Sequence, residues 1–246
     1  MNYLERPRIG VIDYGMGNLV SVCNAFRFLG ANTHIINSFK HFDDVDGIVL
    51  PGVGAFGKAM ENLRDLDLIR PLSDAVMDRR TPFLGICLGL QCAIIDFSRS
   101  VCEFKNANST EFKSRIKYPV IDLMNKQKNI RNKGATMRLG SYPCKVKRGT
   151  KAYVAYRKNK IHERHRHRYE VNNKYIKKLE NKGLVISGIN EELNLVEMIE
   201  IKNHPWFVAV QFHPELKSRI DRAHPLFKDF IKAAIDYKHA KYKIKK

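Results

Sequence analysis

With 246 residues and 44% hydrophobic composition, the chain is long enough to bury one large core, and a single domain is the expectation. It holds no run of about eighteen apolar residues, and its start, MNYLERPRIG, lacks the apolar stretch of a secretory signal, so neither a membrane span nor export is expected. The formal net charge of +19 is uneven, because only 9 of the 44 Lys and Arg lie in residues 1–86, against 10 Asp and Glu, and this points to anionic partners for the later part.

Arg8 to Asp13 is a short apolar run, followed by the turn-like Tyr14-Gly15-Met16-Gly17-Asn18 and then Leu19, Val22, Cys23, Phe26 and Leu29 at helical spacing, closed by Gly30. Strands are predicted over Thr33 to Asn37 and Gly47 to Leu50. The glycine-rich Pro51 to Gly57 follows, then a helix carrying Met60, Leu63 and Leu66. Pro82 to Ile86 reads as another buried strand and Leu88 to Val101 as the helix that it feeds. Strands alternating with helices imply a mostly parallel central sheet with helices on both faces. Cys102 to Lys133 is polar and is expected to be a long surface excursion. Beyond it Tyr142 to Val146 and Ile161 to Val171 read as extended, and Asn173 to Lys182 as helical. Leu184 to Ile189, Leu195 to Ile201 and Trp206 to Phe212 form a meander, a small antiparallel extension of the sheet. A last helix, Pro225 to Tyr237, runs into a basic tail, Lys238 to Lys246, expected to be frayed.

Gly85-Ile86-Cys87-Leu88-Gly89 joins a buried strand to a helix, the setting of a nucleophile elbow with a thiol in place of a hydroxyl. A thiolate at a helix N-terminus is favoured by the backbone N–H groups, although a buried cysteine alone is more often a packing residue. Gln211-Phe212-His213-Pro214-Glu215 supplies what a thiol nucleophile needs: a base, His213, and a carboxylate, Glu215, to orient it. The oxyanion of an acyl-transfer step needs donors as well, and the candidates are the backbone N–H of Leu88 and, from the turn after Leu50, of Gly52 or Val53. His162 to Arg168, HERHRHR, is the most basic short run. It reads as a solvated charged strand, as a metal or nucleic-acid site, or as an anchor for the carboxylate of an amino acid. Zinc is disfavoured for want of a fourth ligand, and nucleic acid for want of an aromatic platform. The five cysteines form no Cys-x-x-Cys pair, which fits a reducing, cytoplasmic setting.

GICLGLQ and QFHPE resemble the elbow and base motifs of the class I glutamine amidotransferases. Residues 8–80, with IGVIDYGMGNLVSV and DGIVLPGVGAFGKAMENLR, are similar to the glutaminase subunit of imidazole glycerol phosphate synthase. Residues 81–237, with NANSTEF, GATMRLGSYPC, ERHRHRYEVNN and HPWFVAVQFHPELKSR, are similar to the glutaminase domain of CTP synthase, so the chain reads as a hybrid of the two. The resemblance implies hydrolysis of L-glutamine to glutamate and ammonia by Cys87, His213 and Glu215, without metal or organic cofactor. Gln91, Glu111 and Arg168 would hold the substrate, Glu111 at its α-ammonium and Arg168 at its α-carboxylate. It also implies a separate synthetase to receive the ammonia, CTP-forming in the first place and the imidazole glycerol phosphate cyclase in the second. Thr136 and Arg138 would lie in a lid linked to a GTP effector. The turn PGVG departs from the PGG-type turn of CTP synthases. The rival from another class is a non-catalytic basic binding module.

Overall fold

The computed structural model describes residues 6–112, 115–123, 137–219 and 221–244. Its frame is a nine-stranded mixed sheet. Five strands are parallel neighbours: β2 (Asn32–Ile36), β1 (Arg8–Ile12), β3 (Gly47–Leu50), β4 (Phe83–Ile86) and β12 (Phe207–Val210), in that order. Past β12 the order runs through β11 (Leu195–Ile201), β10 (Leu184–Asn190), β7 (Arg138–Val146) and β8 (Lys160–His167), each antiparallel to the last. The sheet is thus α/β as expected, but its antiparallel arm contributes as many strand pairings as the parallel part, more than the small extension expected. Arg138 to Ser141 extends β7 beyond the apolar stretch that the sequence reveals.

Strands β3, β4 and β12 are buried at every position, because helices cover both faces of the sheet. On one face Phe83, Phe207 and Ala209 pack against α2 (Phe56–Asp65) and α4 (Leu88–Ser100). On the other, Leu84, Val208 and Val210 meet α1 (Leu19–Phe28) and the final helix through Phe26, Phe227 and Phe230. The alternation follows from the two-residue period of a strand. Asn18 caps α1 by accepting from the Ser21 N–H, and Gly30, at φ +85°, lets the chain reverse after it.

Two regions differ from expectation. Within the excursion, β5 (Ala107–Ser109) and β6 (Tyr118–Leu123) pair in parallel, and β6 takes β9 (Tyr169–Val171) antiparallel, which makes a second, three-stranded sheet. Strands this short carry no readable period, and β9 lies some fifty residues on. The remainder of the excursion, 124–133, lies outside the described residues. The basic tail also departs from expectation: the final helix continues to Ile244. Lys238 Nζ donates to Arg6 O at 2.8 Å and Lys241 Nζ to Asp43 O at 2.6 Å, so these lysines tie the helix end to the body.

Two short helices were not legible, α3 (Ile69–Ser73), which runs on into a π turn, and α5 (Lys151–Tyr156); α6 (Ile176–Asn181) lies inside the stretch read as helical, and the final helix, Pro225–Ile244, is α7. The N-terminus of α5 is held by buried Glu200, whose carboxylate accepts from Lys151 N and Ala152 N, both at 2.9 Å. Trp206, just before β12, donates from Nε1 to Asp229 of α7 at 2.8 Å and meets the Phe230 ring edge-on.

Candidate active site

Strand β4 delivers Cys87 at its C-terminal end, where the chain turns into α4. The residue adopts φ 53°, ψ −98°, a conformation costly for any residue with a Cβ and held here by the Cys87 N–H donating to Val210 O at 2.7 Å. The turn is closed by contact. A Cβ at Gly89 would stand 2.2 Å from Leu50 O, so only glycine lets α4 approach β3 this closely. Gly89→Ala is therefore expected to destabilise the fold by about 3 kcal/mol or more, measured by urea unfolding, because the clash is with backbone that cannot move aside.

The turn after β3 presses on the same spot. Tyr14 Oη donates to Pro51 O at 2.9 Å, and a Cβ at Gly52 would fall 2.2 Å from Tyr14 Oη and 2.6 Å from Leu88 Cβ. Gly52, Val53 and Leu88 are thus neighbours, as the sequence reading requires of them.

His213 follows β12 and is fixed by its own N–H, which donates to Arg164 O of β8 at 2.9 Å. The 3₁₀ turn Pro214–Leu216 brings Glu215 back beneath it, and His213 Nδ1 lies 2.8 Å from Glu215 Oε1. Burial disfavours the imidazolium, but Cys87 on one side and Glu215 on the other outweigh it and push His213 up to about 10. Gln211 Nε2 donates to Cys87 Sγ at 3.7 Å, a thiol contact that the sequence reading did not assign, although Gln211 opens the QFHPE motif.

In front of Cys87 lies a cavity of about 440 Å³, bordered by Val53, Leu88, Gln91, Glu111 and Arg168 among others. That volume suits a small metabolite. The cavity collects candidates from segments far apart in the sequence. His213, Glu215 and Gly52 are not among the residues that border it. Gln91 Nε2 donates to Tyr169 O at 3.1 Å, and Glu111 Oε2 accepts from Phe56 N at 2.8 Å. Burial raises Glu111, while the Phe56 N–H and Arg168 pull it back down.

The HERHRHR run is resolved by alternation. Glu163, His165 and His167 of β8 point inward, while His162, Arg164 and Arg166 face out, so the run is half surface and half core. Among the described residues no group of three or more His, Cys, Asp or Glu is placed to hold a metal ion. Arg138, expected in a lid, is instead buried in β7 and paired with two carboxylates; Thr136 lies outside the described residues.

A thiol on a strained strand-to-helix turn, backed by an imidazole and a carboxylate, places the molecule among α/β proteins with a nucleophile–histidine–acid site. A family model described as glutamine amidotransferase class-I matches residues 10–233, and the chain belongs to that family. The CTP synthase of Chlorobium phaeobacteroides is 58% identical over 230 residues, 92% of this chain and 39% of that protein. The CTP synthase of Pelodictyon phaeoclathratiforme is 49% identical over 232 residues, 93% of this chain and again 39% of that protein. The chain therefore spans about two-fifths of the length of these curated relatives. Among solved structures, the glutaminase domain of Trypanosoma brucei CTPS with bound acivicin superposes with a TM-score of 0.81 at 28% identity, covering 94% of each chain.

Proposed function

We propose that this chain hydrolyses L-glutamine to glutamate and ammonia, with Cys87 as nucleophile. The observation that carries the reading is the Cys87 thiol on the wall of a cavity that it shares with Glu111 and Arg168, with His213 near enough to feel its charge and bound through Nδ1 to Glu215. Cys87 gives its proton to His213, and the thiolate attacks the side-chain amide carbon of glutamine. The oxyanion meets the N–H groups of Leu88 and of Gly52 or Val53. Collapse breaks the C–N bond, His213 protonates the departing nitrogen, and a γ-glutamyl thioester remains on Cys87. Water, deprotonated by His213, attacks that thioester and releases glutamate and the thiol. Glu215 fixes the imidazole and steadies its charge.

Glu111 and Arg168 bear opposite charges, as a zwitterionic amino acid requires. Arg168→Ala and Glu111→Ala are expected to raise KM for glutamine by about tenfold or more, while labelling of Cys87 by iodoacetamide stays within about twofold. Glutamate release and labelling rate are the two measurements. Equal loss in both would return these residues to a purely structural role.

The ammonia serves a synthetase that is CTP-forming. Likeness to CTP synthases over most of the chain supports this, and the imidazole glycerol phosphate cyclase stands second, on residues 8–80. That β1, β2 and β3 share a sheet with β4 and β12 supports reading the two parts as one domain. Stimulation of glutamine hydrolysis by each synthetase module in turn discriminates them. A GTP effector would have to act without the Arg138 side chain, which is committed to the core. Five free cysteines support a reducing, cytoplasmic setting. Inertness of Cys87 to glutamine-like electrophiles, together with salt-sensitive RNA binding, would favour the non-catalytic basic module instead.

A further inference from the structure

Behind the cavity wall lies a set of buried charges that the chemistry above does not use. Arg138 of β7 donates from Nη1 to Glu170 Oε1 at 2.9 Å and from Nη2 to Glu197 Oε1 at 2.8 Å. Its guanidinium also lies 4.5 Å from the centre of the Tyr142 ring. The three charged side chains are 4% exposed or less. Glu170 Oε1 is shared with His167 Nε2 at 2.7 Å. Burial is strong enough to hold Glu197 up at about 7 even with Arg138 attached. Such a set is a poor device for stability alone, because apolar side chains of similar volume fill the same space without desolvating charge.

What the set does provide is direction. Glu170 belongs to β9 of the small sheet and Glu197 to β11 of the large one, so a single planar fork spans the two sheets. Each anchor sits beside a site residue. Glu170 lies two residues past Arg168, and the small sheet also carries Glu111 just after β5. Glu197 O accepts from the N–H of Gln211, whose side chain reaches Cys87 Sγ. The small sheet is also joined to α4, by the bond from Gln91 to Tyr169 O, and to the large sheet by the chain itself, with Arg168 the single residue between β8 and β9. A one-residue link leaves a pivot, and the fork adds a second tie that limits rotation about it.

We propose that Arg138 is a positioning residue that sets the small sheet, and the amino-acid clamp it carries, at a fixed distance and angle from the Cys87 nucleophile by bridging Glu170 and Glu197. This rests on reading Glu111 and Arg168 as that clamp. Lysine at 138 would keep the charge and lose the fork, and glutamine at 170 would keep the shape and lose the charge, so both variants spare the packing.

The test measures kcat and KM for glutamine, the iodoacetamide labelling rate of Cys87 and the thermal midpoint in Arg138→Lys, Glu170→Gln, Arg168→Ala and the double variant Arg138→Lys with Arg168→Ala. Arg138→Lys and Glu170→Gln are expected to raise KM about tenfold with labelling within about twofold of the unaltered chain. In the double variant KM should rise little beyond that of Arg168→Ala, because the two act through one contact. An unchanged KM in Arg138→Lys beside a raised KM in Arg168→Ala would overturn the proposal and leave the clamp standing. Full additivity, or labelling that falls in step with KM, would reduce Arg138 to a structural residue. Should Arg168→Ala itself leave KM unchanged, the clamp and the proposal fall together. Should Arg138→Lys not fold, Glu170→Gln, which removes no atoms from the packed interior, decides by the same readouts.

Discussion

Cys87→Ser is expected to lower glutamine hydrolysis by about 10³-fold or more, with the fold intact. The substitution changes one atom at a side chain that is 4% exposed, so urea unfolding should barely move. The chemistry moves a great deal, because a hydroxyl placed where a thiol should be gives up its proton far less readily to the same imidazole. Glutamate release by the purified variant is the measurement. Activity within tenfold of the unaltered chain would remove Cys87 from the reaction and leave the strained turn without a functional reason.

The second large effect concerns His213. Its folded value of about 10 lies above the ordinary value for histidine, so the stabilisation it brings is fully present below about pH 6.5 and is lost as pH rises through 10. The thermal midpoint should therefore decline from pH 7 towards pH 10. Glu215→Gln keeps the shape of the carboxylate but withdraws its charge from Nδ1, so His213 should titrate at a lower pH, and the decline should set in at the same pH but end sooner and be smaller. The same variant is expected to reduce hydrolysis by roughly 10² to 10⁴-fold, in line with the loss of the orienting acid in comparable triads. A midpoint profile identical in the two proteins would show that Glu215 does not hold the imidazolium.

How far the sequence reveals this site depends on how its parts are spaced along the chain. Cys87 and its glycines are contiguous, and so are His213 and Glu215, so each half of the nucleophile–base arrangement is visible in five residues. Glu111 and Arg168 were reachable only through resemblance, since nothing local to NSTEF or HRHRYE says that they border one cavity. The small sheet stayed hidden because β5 has three residues and its companions lie on either side of a long polar stretch. Arg138 is the sharpest case. The resemblance places it in a lid, and its burial depends on Glu170 and Glu197, 32 and 59 residues away. The same logic applies to LVEMIEI, where Glu197 and Glu200 are both in the interior. A buried carboxylate is stable only where a distant donor meets it, and pattern reading along the chain has no access to that donor.

The bond from Trp206 to Asp229 has a spectroscopic consequence. The chain contains one tryptophan, so all indole emission comes from the seam between the start of β12 and helix α7. The indole is 3% exposed and packed on Phe230, which puts its emission at the short-wavelength end; release of the helix into water moves it to the red. Trp206 lies on the far side of the sheet from the helix that begins at Cys87. Its colour thus reports whether the body of the domain is assembled.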